Sequence, residues 1–202
     1  MPEPFDFSVD PLVNAKLSGE ERRVWNTLRS ELASTRAKNQ ELLEKLRQYE
    51  DEENKGSNIL NRIDFNREVA RMLAFDERYG GISSILYFDF EGIDEVTAKH
   101  GRSIAEIAMK EIASILAHGV RTSDIIGRLA PDEFGLLLMR CDNNFAWKKA
   151  ETLAASLQSA LANIQGCKIE IGISYGAYTF RDNENLAVGL KEAAQAMTKT
   201  TK

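Results

Sequence analysis

A β-hairpin predicted from Asp124 to Arg140 is the feature that most constrains the fold of this chain. Apolar residues on both sides of a tight turn at Ala130–Glu133 indicate two buried strands, the second running from Phe134 to Met139. The turn carries two adjacent carboxylates, Asp132 and Glu133. Like charges repel and add no packing, so this pair is unexpected on grounds of stability alone.

Composition places the chain among ordinary globular proteins. It has 202 residues, of which 43% are hydrophobic and 28% charged, enough for one domain and an extension. A net charge of −5 argues against a general binder of nucleic acid or of membrane surfaces. Cys141 and Cys167 lack metal-type spacing, and no apolar run approaches the ~18 residues of a membrane helix. We therefore expect a cytoplasmic protein that is not inserted in a membrane.

The N-terminal quarter predicts an arm and a coiled coil. Residues 1–18 contain three prolines and no clear period, which is typical of a flexible arm. Residues 19–52 show apolar positions at alternating spacings of three and four, with a central Asn39 of the kind that fixes a parallel two-stranded register. The predicted dimer seam has Trp25, Leu32, Asn39 and Leu46 at a, and Leu28, Thr35, Leu42 and Tyr49 at d. The alternative is a single amphipathic helix packed on its own domain.

A polar stretch at 53–57 predicts a hinge, and 58–202 predicts the globular domain. The expected elements there, besides the hairpin, are helices at 65–79, 93–99, 103–117, 144–163 and 186–198, and strands at 84–90 and 168–178.

The hairpin turn resembles the signature of the GGDEF family, the diguanylate cyclases, with Ala130-Pro131 in place of Gly-Gly. The resemblance covers nearly the whole of 58–200. It implies an α+β fold similar to nucleotidyl cyclases and polymerase palms, a ferredoxin-like arrangement. The expected core is a central five-stranded, mainly antiparallel sheet flanked by helices and preceded by the long coiled-coil helix.

One carboxylate, Asp89, lies near the end of a buried-type strand. A charge there is costly unless it is paired or binds a metal, so a salt bridge, a helix cap and a functional role all remain open. The resemblance implies that Asp89, Asp132 and the carbonyl of Phe90 are the ligands of Mg²⁺, if that site is retained. It also implies that Asp89, Asp132 and Glu133 are the vestige of a catalytic set.

The positions that would recognise the substrate depart from the family pattern. They read Asp94 for a phosphate-binding Lys, Thr97 and Ala98 for an Asn-Asp pair, and Glu106 for a guanine-binding Asp. Pro131 fixes φ near about −65° and removes an N–H, whereas glycine lets the backbone approach a phosphate. Each lost hydrogen bond to a charged group is worth roughly 1.5–3 kcal/mol, so two or three losses predict turnover lower by roughly 10³-fold.

A second motif is better preserved. Arg121 and Asp124 stand five residues before the turn, at 125–129, and this spacing resembles the family's Arg-x-x-Asp inhibitory site for cyclic di-GMP. A guanidinium can donate to the O6 and N7 edge of guanine, and a carboxylate can accept from its N1–H and amino group. Arg128 and Lys148, with Lys149, are candidate cations for the ligand phosphates. A solvated turn pair and exposed solubilising charges are the structural alternatives.

Three functions are compatible with this pattern. The first is a catalytically impaired GGDEF protein that acts as a cyclic di-GMP receptor or adaptor, forms a homodimer and signals to an unidentified downstream protein; it requires no cofactor. The second is a weak, product-inhibited cyclase that makes cyclic di-GMP from two GTP and uses Mg²⁺. The third is a coiled-coil scaffold that binds no nucleotide.

Overall fold

The computed structural model of the protein describes residues 18–53 and 59–199. The chain divides into two compact units, Met1–Glu50 and Asp51–Lys202. The described part of the first unit is one long helix, α1 (Gly19–Glu53). Ser18 starts it, because its amide donates to Glu21 Oε2 at 2.8 Å and its Oγ accepts from the Glu21 amide at 3.3 Å. This reciprocal pair is a capping box, which satisfies amides that the first turn leaves unpaired.

The predicted dimer seam of α1 is largely exposed. Leu28, Leu32 and Leu42 are 54%, 44% and 50% exposed, and Trp25 is half-buried. The side chains of Leu46 and Tyr49 lie outside the described residues, as do the N-terminal arm up to residue 17 and the predicted hinge from 54 onward. Helix α1 continues through Glu53, so the described chain is still helical where the hinge was expected to begin. The coiled-coil dimer stays a prediction.

The second unit is a single sheet with helices on both faces. Its helices are α2 (Arg62–Tyr79), α3 (Ile93–His100), α4 (Arg102–His118), α5 (Asn143–Leu161) and α6 (Leu186–Gln195). Its strands are β1 (Ile59–Leu60), β2 (Ser83–Glu91), β3 (Ile125–Ala130), β4 (Glu133–Met139), β5 (Gly172–Thr179) and β6 (Thr198–Lys199). The strand order is β1-β3-β4-β2-β5-β6, antiparallel throughout except for the parallel pair β1 and β3.

The central strand β2 is buried on both faces and separates two hydrophobic clusters. Phe88 and Phe90 belong to the larger cluster, with α4 and α5, whereas Ile85 belongs to the smaller one, with α2 and α6. Helix α2 packs against the sheet through Phe65, which is fully buried. A Cβ at Gly127 would lie 2.5 Å from the Phe65 side chain, so this close approach needs glycine at that position.

The predicted fold class is confirmed, and the sheet has six strands, of which β1 and β6 are two residues long. Three boundaries were wrong by three residues or more. The helix predicted from Phe65 begins at Arg62, because the side chain of Asn61 caps it. The helix predicted over 186–198 ends at Gln195, since Thr198 pairs with Tyr175 in β6 and β-branched residues favour strands. The strand predicted from 168 begins at Gly172. No helix among the described residues is long and apolar enough to cross a membrane. The cytoplasmic location stays a prediction.

Candidate functional site

A row of polar side chains crosses the sheet where β2 approaches the hairpin turn. Asp89 of β2 pairs with Glu133 of β4 on one side and with Ser174 of β5 on the other. Directly paired residues share a face of the sheet, so these three side chains lie next to one another. Phe90 N donates to Asp132 O at 3.0 Å, which places Asp132 at the same end of β2. The three carboxylates predicted as the vestigial catalytic set are thus brought together.

The negative charge concentrated in this row shifts the pKa values of its acidic groups. Burial, and then the carboxylates of Asp132, Glu133 and Glu91, raise the pKa of Asp89 above its ordinary value. Burial also raises the pKa of Tyr87, and a hydrogen bond to Glu133 adds to that shift. Both shifts have the sign expected when an acid loses water and gains anionic neighbours. A cation would relieve this repulsion.

Asp89 and Asp132 fit Mg²⁺ by their chemistry, since hard oxygen donors are its preferred ligands and the ion commonly keeps several waters. The Phe90 carbonyl is the third donor predicted from the resemblance. No group of three or more acidic, His or Cys side chains in a metal-binding arrangement occurs among residues 18–53 and 59–199. If the predicted site is retained, Asp89, Asp132 and the Phe90 carbonyl would hold the ion, and water or a ligand would fill its remaining positions.

The turn between β3 and β4 keeps its hairpin without glycine. Ala130 pairs with Glu133, leaving Pro131 and Asp132 as the two linking residues, and the register shifts between Arg128 and Ala130. No turn residue takes a positive φ; the non-glycine residues that do are elsewhere in the described chain, at 140, 165 and 183. Types I′ and II′ are thereby excluded, as the proline predicts, because each needs a positive φ. The guanidinium of Arg128 donates to Pro131 O at 2.6 Å.

The replaced substrate positions are occupied by local contacts or left to solvent. Thr97 Oγ1 donates to Ile93 O at 2.9 Å within α3, and Asp94 and Ala98 on the same helix are exposed. Glu106 accepts from Arg102 Nε at 2.8 Å along α4. None of these four positions presents a cation to the carboxylate row.

The second candidate site is the turn between α4 and β3. Asp124 holds it closed, since its Oδ2 accepts from Arg121 N at 2.9 Å and its own amide donates to Arg121 O at 3.0 Å. Its Oδ1 accepts from Met139 N at 3.1 Å, which ties the turn to the end of β4. The Arg121 side chain is exposed, and among the described residues its guanidinium has no hydrogen bond or ion pair.

Arg121 and Asp124 open onto a cleft of about 700 Å³, a volume within the range of small-molecule sites. One wall comes from β1 and the first turns of α2, the other from the end of α4 and the turn itself. The cleft is lined by Ile59, Leu60, Asp64, Arg67, Glu68, Ala117, Val120, Arg121, Thr122, Asp124, Ile125 and Ile126. The site thus combines apolar surface with two guanidiniums and three carboxylates.

The other predicted ligand cations lie away from this lining. Arg128 is half-buried, contacts the hairpin turn at Pro131 O, and has its guanidinium carbon 5.9 Å from the ring centre of Phe134. Lys148 is exposed on α5. Lys149 lies near Cys141, and its charge, like that of Arg121, acts to lower the pKa of that thiol. The roles of Arg128 and Lys148 in binding stay predictions.

Sequence reasoning missed Asp64, Arg67 and Glu68 as cleft residues. Their spacing along α2 indicates one helix face, but no sequence signal indicates that this face meets the Arg121 turn. That proximity depends on the pairing of β1 with β3 and on the packing of Phe65.

The comparisons with known proteins agree with this geometry. The family model described as diguanylate cyclase, GGDEF domain, matches residues 55–202. The chain belongs to the GGDEF family. Within this GGDEF chain the Asp89 row lies beside the signature turn, and the Arg121 cleft lies at the other end of β3.

Curated relatives of this GGDEF chain are named as cyclases. It is 24% identical over 138 residues to the probable diguanylate cyclase DgcE of Escherichia coli K12, covering 68% of this chain and 12% of that protein. It is 23% identical to the E. coli diguanylate cyclase DosC over 158 residues, covering 78% of this chain and 34% of that protein. The chain therefore spans about a third or less of the length of these two relatives.

Solved structures share the fold. The coiled coil and GGDEF domain of DgcB from Caulobacter crescentus, in complex with c-di-GMP, superposes with a TM-score of 0.64 at 18% identity, covering 84% of this chain and 92% of that one. Diguanylate cyclase SiaD from Pseudomonas aeruginosa, in complex with its activator SiaC, also gives 0.64, at 20% identity, covering 86% and 69%.

Proposed function

We propose that this GGDEF protein is a receptor for cyclic di-GMP that binds through Arg121 and Asp124 and has lost most or all cyclase activity. The observation that carries the proposal is the cleft of about 700 Å³ in which the Arg121 guanidinium is exposed and Asp124 is held in place by two backbone amides. A guanine base can lie against the guanidinium and donate to the carboxylate. Mutation of Arg121 tests ligand binding most directly, because its side chain makes no other described contact.

The state of the signature turn supports the loss of catalysis. Pro131 supplies no amide for a phosphate. The substrate positions described above also supply no positive charge to the carboxylates of Asp89, Asp132 and Glu133. A nucleoside triphosphate would have to enter this negative field with metal ions as its main counter-charge. Related structures support the choice of ligand, since DgcB was solved in complex with c-di-GMP.

The receptor is proposed to act as a homodimer through the α1 seam and to pass its signal to a downstream protein. The exposed Leu28, Leu32 and Leu42 support the dimer, because apolar residues at heptad spacing are stabilised when a second helix covers them. Sedimentation of the full chain at micromolar concentration tests this part. A dimer that Leu32→Glu converts to a monomer is expected, and a monomeric unmodified chain would remove the proposal of a coiled coil.

A weak cyclase is the second candidate, and the convergence of Asp89, Asp132 and Glu133 favours it. In that case Asp89 and Asp132 would hold Mg²⁺, which would offset charge on the phosphates and activate the attacking hydroxyl. Incubation with GTP and Mg²⁺, followed by chromatography for cyclic di-GMP, separates the two candidates. Steady product formation that Asp89→Asn abolishes would establish an enzyme and overturn the loss of catalysis.

Calorimetric titration of cyclic di-GMP into the full chain tests the receptor directly. We expect micromolar or tighter binding, with at least a thirtyfold loss in Arg121→Ala, on the order of one charge-assisted hydrogen bond. Arg78→Ala is the matched control, because Arg78 is also exposed but lies outside the cleft lining, with its guanidinium carbon 5.4 Å from the ring centre of Tyr79. If the unmodified chain does not bind, the scaffold function without nucleotide becomes the leading one.

A further inference from the structure

The wall of the cleft opposite Arg121 carries charges of its own. Asp64, Arg67 and Glu68 face the cleft from the first turns of α2. Glu68 is neutralised from the side by Arg71, whose Nε lies 3.1 Å from Glu68 Oε2. Asp64 and Arg67 therefore remain as the charged pair of this wall, and the Asp64 side chain is held more rigidly than that of Arg67.

Asp64 is held in place while Arg67 is not. Asn61 caps α2, since its Oδ1 accepts from Asp64 N at 2.9 Å and its Nδ2 donates to Asp64 Oδ2 at 3.1 Å. Arg67 Nη1 contacts the other oxygen, Oδ1, at 3.1 Å, with 74% of the Arg67 side chain exposed against 38% for Asp64. An exposed pair of this kind contributes little to stability, so its guanidinium can leave at small cost.

We propose that Arg67 is a second ligand-binding residue of this cleft. When the cyclic dinucleotide binds, Arg67 separates from Asp64 and contacts a phosphate, while Arg121 contacts a base. This inference rests on the proposed receptor function. A cyclic dinucleotide carries two anionic phosphodiesters, and the described residues of the cleft lining offer two cations, one on each wall. Asp64 then acts as an intramolecular competitor for Arg67 and repels the incoming phosphate.

The chemistry of Arg67 suits this role. A guanidinium binds phosphate oxygens through two parallel N–H groups, whereas an ammonium acts as a point charge. Arg67→Lys should therefore retain part of the affinity that Arg67→Ala loses. Asp64→Asn keeps an oxygen for the Asn61 contact but removes the competing charge, so it should strengthen binding.

The experiment is a titration of cyclic di-GMP into the full chain carrying Arg67→Ala, Arg67→Lys, Asp64→Asn or the control Arg78→Ala. We expect about tenfold weaker binding for Arg67→Ala, an intermediate value for Arg67→Lys, and about threefold tighter binding for Asp64→Asn, as for gain or loss of partly exposed charged contacts. Arg78→Ala, about three helical turns further along α2 and outside the cleft lining, should change affinity less than about threefold at physiological salt, where exposed charges are screened. Thermal unfolding of each variant reports whether the fold is intact.

Two outcomes would overturn the inference, and they differ in what they leave standing. If Arg121→Ala abolishes binding while Arg67→Ala and Arg78→Ala bind alike, Arg67 is only a surface charge and the receptor function survives. If the unmodified chain does not bind cyclic di-GMP at all, both proposals fail together. A tighter Asp64→Asn variant alongside a weaker Arg67→Ala variant would support the competition between them.

Discussion

The two ends of β3 differ in what their charged groups are doing. At the turn end, Asp89 and Glu133 face each other across the sheet without a described cation between them. At the other end, each oxygen of Asp124 accepts one backbone amide and keeps a lone pair for a ligand, and the Arg121 guanidinium is exposed. One site accumulates negative charge that needs a counter-ion, and the other presents a cation on a rigid turn. The comparison teaches that a carboxylate is informative about function only when its partners are known.

The largest effect on this contrast is expected from Asp124→Ala. It removes the acceptor for the amides of Arg121 and Met139 and also the proposed acceptor for guanine. We expect cyclic di-GMP affinity to fall by at least a hundredfold and the free energy of unfolding to fall by about 1–3 kcal/mol. Titration calorimetry and urea unfolding measure the two losses.

Asp124→Asn is the control for this prediction, because it keeps one carbonyl oxygen on the turn. It should recover most of the stability and little of the affinity. Equal affinity in the unmodified chain and Asp124→Ala would show that the ligand does not use this end of β3.

A smaller effect is expected from Ala130→Gly together with Pro131→Gly, which rebuilds the family's signature turn. Two glycines raise the entropy of the unfolded chain, so the free energy of unfolding should fall by about 1–2 kcal/mol. Cyclase activity should stay below detection, since Asp94, Thr97 and Ala98 still lack the family's substrate contacts. Product chromatography after incubation with GTP and Mg²⁺ checks this.

Robust activity in that double variant would mean that the turn alone limits catalysis. The substrate positions on α3 would then contribute less to catalysis than their charges indicate. The functional difference between the two ends of β3 would then depend on Ala130 and Pro131 alone.

The smallest effect is expected from Asp89→Asn, and it depends on pH. Burial and neighbouring carboxylates raise the pKa of Asp89 above its ordinary value of 3.8. In the pH window between that ordinary value and the raised pKa, the Asp89 carboxyl keeps its proton in the folded state and releases it in the unfolded state. Stability should therefore fall as pH rises through that window, and the full penalty applies at pH 7. Asp89→Asn should stabilise the protein at pH 7 by roughly 0.5 kcal/mol, the scale of a cross-strand charge contact.

The difference between the unmodified chain and Asp89→Asn should close as the pH approaches about 4, near the ordinary pKa of an aspartate. Adding Mg²⁺ at pH 7 should raise the unfolding midpoint of the unmodified chain more than that of the variant. A variant less stable than the unmodified chain at pH 7 without metal would show that Asp89 is balanced by a cation.

Most of the fold was predictable because its signals are local. The apolar run of β2, the hairpin and the helix faces follow from periodicity, and the confirmed family follows from the turn and its neighbours. The errors came where pairing with a distant strand overrides the local pattern. Thr198, for example, was predicted to be helical but pairs with β5 as a strand. Sequence reasoning proposed both Lys148 and Lys149 as ligand cations, since two adjacent lysines on one helix cannot be separated without knowing which side faces Cys141.

The sequence by itself determined the chemistry of the signature turn: a proline has no amide to donate and cannot take a positive φ, whatever surrounds it. It also determined which acids and cations the chain possesses. Only the tertiary structure decided that Asp64 and Arg67 share a cleft with Arg121, because that meeting depends on β1 lying beside β3 and on Phe65 packing against Gly127. Local rules set the conformation of a turn, whereas contacts between distant segments follow from how helices and sheet bury their apolar faces.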